Sequence, residues 1–154
     1  MRVGSLFSGI GGIDIGFQQA GFNVVWAVEK DAASCKTYRF NFPGTVLIEK
    51  DIRYVNPRNL EPIDVLVAGF PCQSFSVAGK QRGFSDPRGH LFYEIGKFID
   101  VHRPRFVFLE NVPNLIEHDD GRTFLTIHNV LSELDYSIRY RVLRASEFGN
   151  VPQI

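Results

Sequence analysis

Five short apolar runs, separated by segments of helical periodicity, constrain the fold of this chain most strongly. The runs start at Val3, Val24, Val46, Val65 and Phe106, and each has the length of one strand. Near-continuous apolar strands are typical of parallel sheets that are buried on both faces. Because such strands alternate here with helical segments, the sequence predicts an α/β, Rossmann-like fold with a mostly parallel sheet and helices on both faces.

The helical segments have recognisable ends. The first closes at Gly21, the second begins after the capping residue Asp31, and the third stops at Pro104. Helices are predicted over 13–20, from Asp31 to Asn41, from Leu91 to Pro104 and over 124–134. The segment from Tyr136 to Leu143 alternates and is interpreted as a further strand, antiparallel or at a sheet edge.

Composition and charge exclude several classes of protein. The chain has 154 residues, which suits one domain, and its 17 basic and 17 acidic residues give a formal net charge of zero. A uniformly basic nucleic-acid-binding surface is therefore excluded, although a local basic patch is not. No apolar run reaches membrane-spanning length, and two cysteines are too few for a disulfide scaffold or a four-ligand zinc site. We expect free thiols, a cytoplasmic location, no membrane and no metal site.

A glycine-rich turn follows the first strand. The sequence Ser8-Gly9-Ile10-Gly11-Gly12 joins a strand to a helix, as in the phosphate- or nucleotide-binding turn of Rossmann-like units. The dinucleotide fingerprint fails, because its third glycine would fall at Asp14. An acidic residue near the turn suits an uncharged or cationic ligand, such as S-adenosylmethionine, better than a pyrophosphate. A tight turn without a ligand is the alternative interpretation.

Two carboxylates follow strands on the side of this turn. Glu29 ends the second strand, 20 residues after Gly9, where a carboxylate is able to accept both hydroxyls of a ribose. Asp51 follows the third strand and is expected either to hydrogen-bond an adenine amino group or to cap the next segment. For Glu29, a plain surface position is the alternative.

The segment Gly69-Phe70-Pro71-Cys72-Gln73-Ser74-Phe75-Ser76 follows the fourth strand at its carboxyl end, where open parallel sheets bind ligands. Cys72 is therefore a candidate nucleophile, which requires a thiol that ionises easily. Basic residues that favour ionisation follow in the same loop: Lys80, Arg82 and Arg88. The alternative is a small buried residue, the commoner role of a single cysteine. Cys35 lies within a helix and is given no role.

Glu110 ends the fifth strand, on the same edge as Cys72. It follows four apolar residues, so we expect it to be partly withdrawn from water. Burial raises the pKa of a carboxyl group and enables it to donate a proton to a ring nitrogen. The alternative is a strand-end glutamate exposed to water.

These segments resemble the signature motifs of the DNA (cytosine-5)-methyltransferases of bacterial restriction-modification systems. Phe7 to Gly12 resembles the cofactor turn of that family, 69–76 its catalytic loop, and Glu110-Asn111-Val112 its third signature. The segment from Ala145 to Gln153 is similar to the opening of a fourth. Order and spacing agree along the whole chain, and Pro71-Cys72-Gln73 with its flanking residues is highly specific.

The resemblance implies a site for S-adenosylmethionine and for a cytosine flipped out of double-stranded DNA. Cys72 would attack C6 of that cytosine, Glu110 would protonate or hydrogen-bond N3, and Pro71 would exclude other bases. Glu29 would bind the ribose of the cofactor and Asp51 its adenine. The residues implied around the cofactor are Phe7, Ser8, Gly9, Gly11, Gly12, Glu29, Asp51, Ile52 and Pro71. The residues implied around the substrate are Gln73, Ser76, Arg82, Asn111 and Val112.

The resemblance also implies that residues 1–154 are the catalytic part of a longer domain in a bacterial cytoplasm. In the family, a segment like Phe148 to Gln153 continues into two arginines, a target-recognition domain and a C-terminal segment that completes the sheet. We expect these to be missing, and sequence-specific methylation is not expected from this chain alone. Three interpretations stay open: a truncated cytosine methyltransferase, the catalytic subunit of a split enzyme with a complementary recognition subunit, and a non-catalytic module. The tRNA-methylating relatives share these motifs, so the choice of nucleic acid also stays open.

Overall fold

The computed structural model describes residues 1–71 and 91–149. Cys72, Gln73, Ser76 and Arg82, for which the sequence predicts roles, lie outside the described residues. The strands are β1 (Arg2–Leu6), β2 (Asn23–Glu29), β3 (Val46–Glu49), β4 (Val65–Gly69) and β5 (Phe106–Glu110). The helices are α1 (Gly12–Gln19), α2 (Ala32–Asn41), α3 (Leu91–His102) and α4 (Arg122–Glu133).

The strands of the described chain form one sheet in the order β3-β2-β1-β4-β5, and all neighbouring pairs are parallel. The predicted α/β fold with a parallel sheet is confirmed. The chain proceeds from β1 toward β2 and β3 on one side and later enters β4 on the other side, so the strand order reverses between β1 and β4. Open parallel sheets bind ligands outside the carboxyl ends of the strands at such a reversal.

Helices cover both faces of this sheet, as predicted. On one face, Phe17 of α1 packs against buried valines of β1, β2 and β4. On the same face, Tyr38 of α2 packs with Ala27 of β2. On the other face, the Trp26 ring of β2 lies 6.1 Å from the ring of Phe98 in α3. Burial on both faces explains why the central strands are nearly continuous apolar runs.

Two helix boundaries that depend on capping residues are confirmed. The Asp31 carboxylate accepts a hydrogen bond from the Ser34 N–H at 2.7 Å, and α2 begins at the next residue. Gly21 follows the end of α1 with φ of 82°, and its N–H donates to the Gln18 carbonyl at 2.9 Å. A glycine adopts this left-handed conformation without the steric cost that other residues incur.

Two predictions about later segments are wrong. β5 is not a buried strand, because Phe106 and Phe108 are 49% and 45% exposed. The physical reason is its position at the edge of the described sheet. The segment from Tyr136 to Leu143 forms no strand, because alternation of residue types does not by itself supply a partner strand.

The chain divides into two compact units, Met1–Val112 and Pro113–Ile154. The first contains the sheet, α1 to α3 and the described candidate residues. In the second unit, one side of α4 is buried. The Phe124 ring of α4 lies edge-to-face on the Tyr140 ring, with centroids 4.9 Å apart. Across residues 1–71 and 91–149, no helix has the length and hydropathy of a membrane-spanning segment.

Candidate active site

The register of the sheet brings the candidate residues to one edge. The last residue of β1 lies beside Val28 of β2 and Ala68 of β4. Gly69, the last residue of β4, lies beside Glu110 at the end of β5. The glycine-rich turn, Glu29, the start of the loop after β4 and Glu110 therefore share the carboxyl edge of the sheet, as the sequence predicts.

The turn between β1 and α1 is held by backbone hydrogen bonds. The Gly11 N–H donates to the Ser8 carbonyl at 2.9 Å, and the Ser8 N–H donates to the Val28 carbonyl at 3.3 Å. Phe7, Gly9 and Gly11 have φ of 55°, 55° and 95°. Such a conformation costs a residue with a side chain about 1–2 kcal/mol. Phe7 bears this strain at the point where its side chain enters the wall of a cleft.

Three backbone N–H groups fix the Glu29 carboxylate. Its Oε1 accepts from Lys30 at 2.7 Å and from Asp31 at 2.8 Å, and its Oε2 accepts from Gly9 at 2.9 Å. A carboxylate accommodates about four donors. Among the described contacts, one acceptor position of Oε2 is therefore available to a donor such as a hydroxyl group.

Asp51 caps the short 3-10 turn Ile52–Tyr54, which is one of the two roles expected for it. Its Oδ1 accepts from the Arg53 N–H at 3.1 Å and from Nε of the same arginine at 2.9 Å. Its Oδ2 accepts from Nη2 of Arg53 at 2.7 Å and from Nζ of Lys30 at 3.5 Å. The side-chain hydrogen bonds from Arg53, above all, hold the pKa of Asp51 well below its usual range.

These groups surround a small cleft that is open to solvent. Its walls are formed by Phe7, Val28, Glu29, Lys30, Lys50, Asp51, Ile52 and Leu91. The cleft thus brings together four of the residues predicted to surround a cofactor. Ser8 follows Phe7 in the turn, and its hydroxyl is buried without a hydrogen-bond partner within the described ranges.

Asp14, the acidic residue near the turn, does not form part of this cleft wall. It is 1% exposed and lies between β1, α1 and α2. The Ser5 hydroxyl donates to its Oδ1 and the Tyr38 hydroxyl to its Oδ2, each at 2.7 Å. Burial raises the pKa of Asp14, and the two hydrogen bonds partly offset this. The carboxylate therefore ties three elements together beside the turn.

We expect Tyr38→Phe to lower the free energy of unfolding by about 2 kcal/mol at neutral pH, because hydrogen bonds to ionised groups contribute about that much. The bond lowers the pKa of Asp14, so its loss raises that pKa further. When the pKa of a carboxyl group is higher in the folded than in the unfolded protein, the protein becomes less stable as the pH rises from the unfolded-state pKa to the folded-state pKa. The deficit should therefore be larger at neutral pH than near pH 4.

Urea unfolding at both pH values measures this difference. Tyr54→Phe is the control, because Tyr54 is 77% exposed and its change should leave stability nearly unaltered. A deficit for Tyr38→Phe that is equal at both pH values would mean that its hydroxyl does not stabilise the ionised carboxylate.

Glu110 lies at the carboxyl end of β5, as predicted, but in a different environment from the expected one. Its Oε2 is 3.3 Å from the position that a Cβ on Gly69 would occupy, so the absence of a side chain at Gly69 leaves room for the carboxylate. The Glu110 side chain is exposed. The expectation that it is partly withdrawn from water is wrong, because β5 is the edge strand of the described sheet.

Asn111 braces the start of the loop after β4. Its Nδ2 donates to the Phe70 carbonyl at 2.6 Å, and its Oδ1 accepts from the Val112 N–H at 2.9 Å. The Phe70 side chain is buried, with its ring 5.6 Å from that of Phe92 in α3. Backbone and side chain of Phe70 are thus both held, and Pro71 follows directly at the exposed edge.

Sequence reasoning missed two residues that shape this region, Arg53 and Tyr38. A signal for Arg53 was present, because a basic residue two positions after a capping aspartate is placed to fold back onto it. Tyr38 had no such signal, since it lies 24 residues from its partner Asp14 and reads as an ordinary buried aromatic residue.

The parallel sheet with its reversal of strand order and the glycine-rich turn after β1 place the chain in the class of Rossmann-like α/β proteins. Comparison with known sequences narrows this class. A sequence model of the family described as C-5 cytosine-specific DNA methylase matches residues 1–154. The chain belongs to that family.

Curated relatives are type II methyltransferases. The chain is 47% identical over 155 residues to M.Bsp6I of Bacillus sp. (strain RFL6), with 99% of this chain and 49% of that protein covered. It is 40% identical over 153 residues to M.HhaI of Haemophilus parahaemolyticus, with 99% of this chain and 46% of that protein covered. The chain therefore spans about half the length of the curated relatives it matches.

Solved structures agree with the fold. A prophage-encoded DNA modification methyltransferase from E. coli has 31% identity and a TM-score of 0.69, with 86% of this chain and 38% of that chain covered. A DNMT2 variant from Spodoptera frugiperda has 26% identity and a TM-score of 0.62, with 84% of this chain and 40% of that chain covered. The methyltransferase fold is thus shared over most of this chain.

Proposed function

We propose that this chain is the catalytic part of an enzyme that transfers a methyl group from S-adenosylmethionine to C5 of cytosine in DNA. The proposal rests mainly on one observation. The cleft, the Phe70–Pro71 segment that Asn111 braces and Glu110 all lie at the same edge of the sheet. Membership of the C-5 cytosine-specific DNA methylase family supports the same reaction. The family description and the DNA modification enzyme among the similar structures favour DNA over tRNA.

The chemistry of the cleft fits S-adenosylmethionine. The available acceptor position on Glu29 suits a ribose hydroxyl. The buried hydroxyl of Ser8, which has no partner among the described residues, suits a polar group of a ligand. Phe7 and Ile52 supply apolar walls for a purine, and we assign Asp51 to its amino group. We place Gly9, Gly11, Gly12 and Pro71 around the same cofactor. When bound, S-adenosylmethionine supplies the methyl group.

Cys72 and Glu110 are proposed to act on the base. The Cys72 thiolate attacks C6 of a flipped cytosine and forms an S–C6 bond, while Glu110 delivers a proton to N3. Electron density then accumulates at C5, which would form a bond to the methyl group with S-adenosylhomocysteine as the leaving group. Loss of the C5 proton to a base breaks the S–C6 bond and releases the Cys72 thiolate. Glu110 accepts the N3 proton again, so the enzyme returns to its starting state.

Asn111 is proposed to position this chemistry by holding the backbone that leads to Cys72. Its bond to the Phe70 carbonyl, at 2.6 Å, supports this role. We also propose that Asn111 and Val112 contact the base. Further contacts with the substrate are assigned to Gln73, Ser76 and Arg82. We further propose that a complementary polypeptide segment recognises the target sequence. The reason is that a chain of zero formal net charge offers no uniformly basic surface for DNA.

The test mixes this chain with the C-terminal half of M.Bsp6I and supplies S-adenosylmethionine that is radiolabelled in its methyl group. We expect the mixture, and neither part alone, to place labelled 5-methylcytosine in plasmid DNA. Label in tRNA but not in DNA would contradict the substrate assignment. Cofactor binding without any transfer would instead support a non-catalytic module.

Glu29→Gln is expected to weaken binding of S-adenosylhomocysteine by at least about tenfold, the usual effect of losing a charge-assisted hydrogen bond. Isothermal titration calorimetry measures the affinity. Glu49→Gln is the matched control, because Glu49 lies beside Glu29 in the register but pairs with Arg39. Equal affinities of the wild type and Glu29→Gln would remove Glu29 from the ribose role.

A further inference from the structure

The two carboxylates of the cleft differ in how fully their acceptor positions are used. An ionised carboxylate accepts about four hydrogen bonds. Glu29 accepts three in the described structure, all from backbone N–H groups. Asp51 accepts four, three from Arg53 and one from Lys30. A ligand donor therefore finds an available position at Glu29, whereas at Asp51 it must displace an existing donor.

The donors at Asp51 differ in how easily they are displaced. The Arg53 backbone N–H is part of the capped 3-10 turn and stays with it. The Arg53 guanidinium donates at 2.9 and 2.7 Å, yet its side chain is 50% exposed, whereas that of Asp51 is 14% exposed. The contact from Lys30 is longer, at 3.5 Å. Because the guanidinium is able to move into solvent without unfolding the turn, it is the strong donor that a ligand would replace.

We propose that Arg53 is an internal competitor for the adenine amino group and thereby sets the affinity of the cleft for adenine-containing ligands. This inference rests on the proposed function, in which Asp51 accepts a hydrogen bond from that amino group. In the absence of ligand, the guanidinium occupies both oxygens of Asp51. An entering 6-aminopurine takes over one of these positions, and the guanidinium turns outward. In the ion-paired position, the guanidinium carbon lies 5.9 Å from the centroid of the Tyr54 ring.

The competition should be modest in size, because water screens an ion pair that is half exposed. We expect Arg53→Gln to tighten binding of S-adenosylhomocysteine by about two- to fivefold. It should give no gain for S-inosylhomocysteine, whose 6-oxo group has no proton to donate to Asp51. The ratio of the two affinities therefore separates competition at Asp51 from a general change in the charge of the protein.

Isothermal titration calorimetry with both ligands tests this on the full chain. The variants are Arg53→Gln and, as a matched control, Arg103→Gln. Arg103 is 54% exposed and pairs with Asp100 at 2.5 Å, and it precedes the amino end of β5, away from the cleft edge. We expect only Arg53→Gln to raise the ratio of the two affinities.

Each outcome of this experiment either supports the competitor role of Arg53 or contradicts it. Weaker or unchanged binding of S-adenosylhomocysteine by Arg53→Gln would overturn the competitor role and assign Arg53 to holding Asp51 in place. An equal gain with both ligands would overturn it as well, in favour of a general charge effect. If neither ligand binds to the wild type or to either variant, the proposed function itself fails, which is a distinct result.

Discussion

Cys72→Ser is expected to abolish methyl transfer by the complemented chain and the covalent complex with DNA that contains 5-fluorocytosine. A serine hydroxyl does not ionise at neutral pH as a cysteine thiol does, so the attack on C6 should slow by at least about a thousandfold. Fluorine at C5 cannot leave as a proton does, so the S–C6 bond formed by an active enzyme persists. Denaturing gel electrophoresis then shows protein bound to labelled DNA.

The chain contains its own control for this experiment, because it has a second cysteine. Cys35 is fully buried in α2, and its Sγ lies 3.5 Å from the Glu29 carbonyl. Burial raises the pKa of the Cys35 thiol and disfavours the reactive thiolate. Cys35→Ser should therefore retain the complex with 5-fluorocytosine. A complex that survives Cys72→Ser would show that Cys72 is not the nucleophile.

The parts of the fold that depend on local signals could be predicted from the sequence. Asp31 and Gly21 mark helix ends because a capping side chain or a glycine satisfies the terminal backbone groups within a few residues. Apolar runs mark the positions of the parallel strands for a similar reason, since the pattern of each run is contained in a few neighbouring residues. The placement of Glu29 and Glu110 on one edge then follows, because parallel strands have their carboxyl ends on the same side.

The parts that depend on distant partners could not be predicted in this way. The apolar run before Glu110 indicated burial, but the amount of burial depends on whether another element covers β5, and the run does not report this. Asp14 sits beside the turn in sequence, yet its orientation depends on Ser5 and Tyr38, which donate to it from other elements. Asp51 fulfils the capping role, and its role toward adenine stays a prediction.

Gly11→Ala is expected to be the most destabilising single methyl addition in the glycine-rich turn. Gly11 has φ of 95°, which costs a residue with a side chain about 1–2 kcal/mol. A Cβ there would also overlap a ring carbon of Phe42. That ring stacks on Tyr38 with centroids 4.5 Å apart, so it has little freedom to retreat. Overpacking adds about 1–3 kcal/mol, and the total of about 3 kcal/mol lowers Tm by about 10 °C.

Two neighbouring glycines separate the strain of the backbone from the overlap with Phe42. Gly9 has φ of 55°, but no atom of the described residues lies within 4 Å of an added Cβ, so Gly9→Ala should show the conformational cost alone, about 1 kcal/mol. The same space is open at Gly12 among the described residues, and Gly12 has no positive φ, so an alanine there should change stability little. In a double-mutant cycle, Phe42→Leu should relieve part of the loss caused by Gly11→Ala, since leucine leaves room for the added methyl group. Equal losses at Gly9 and Gly11, with no coupling to Phe42, would show that the turn accommodates a side chain there and is not held against α2.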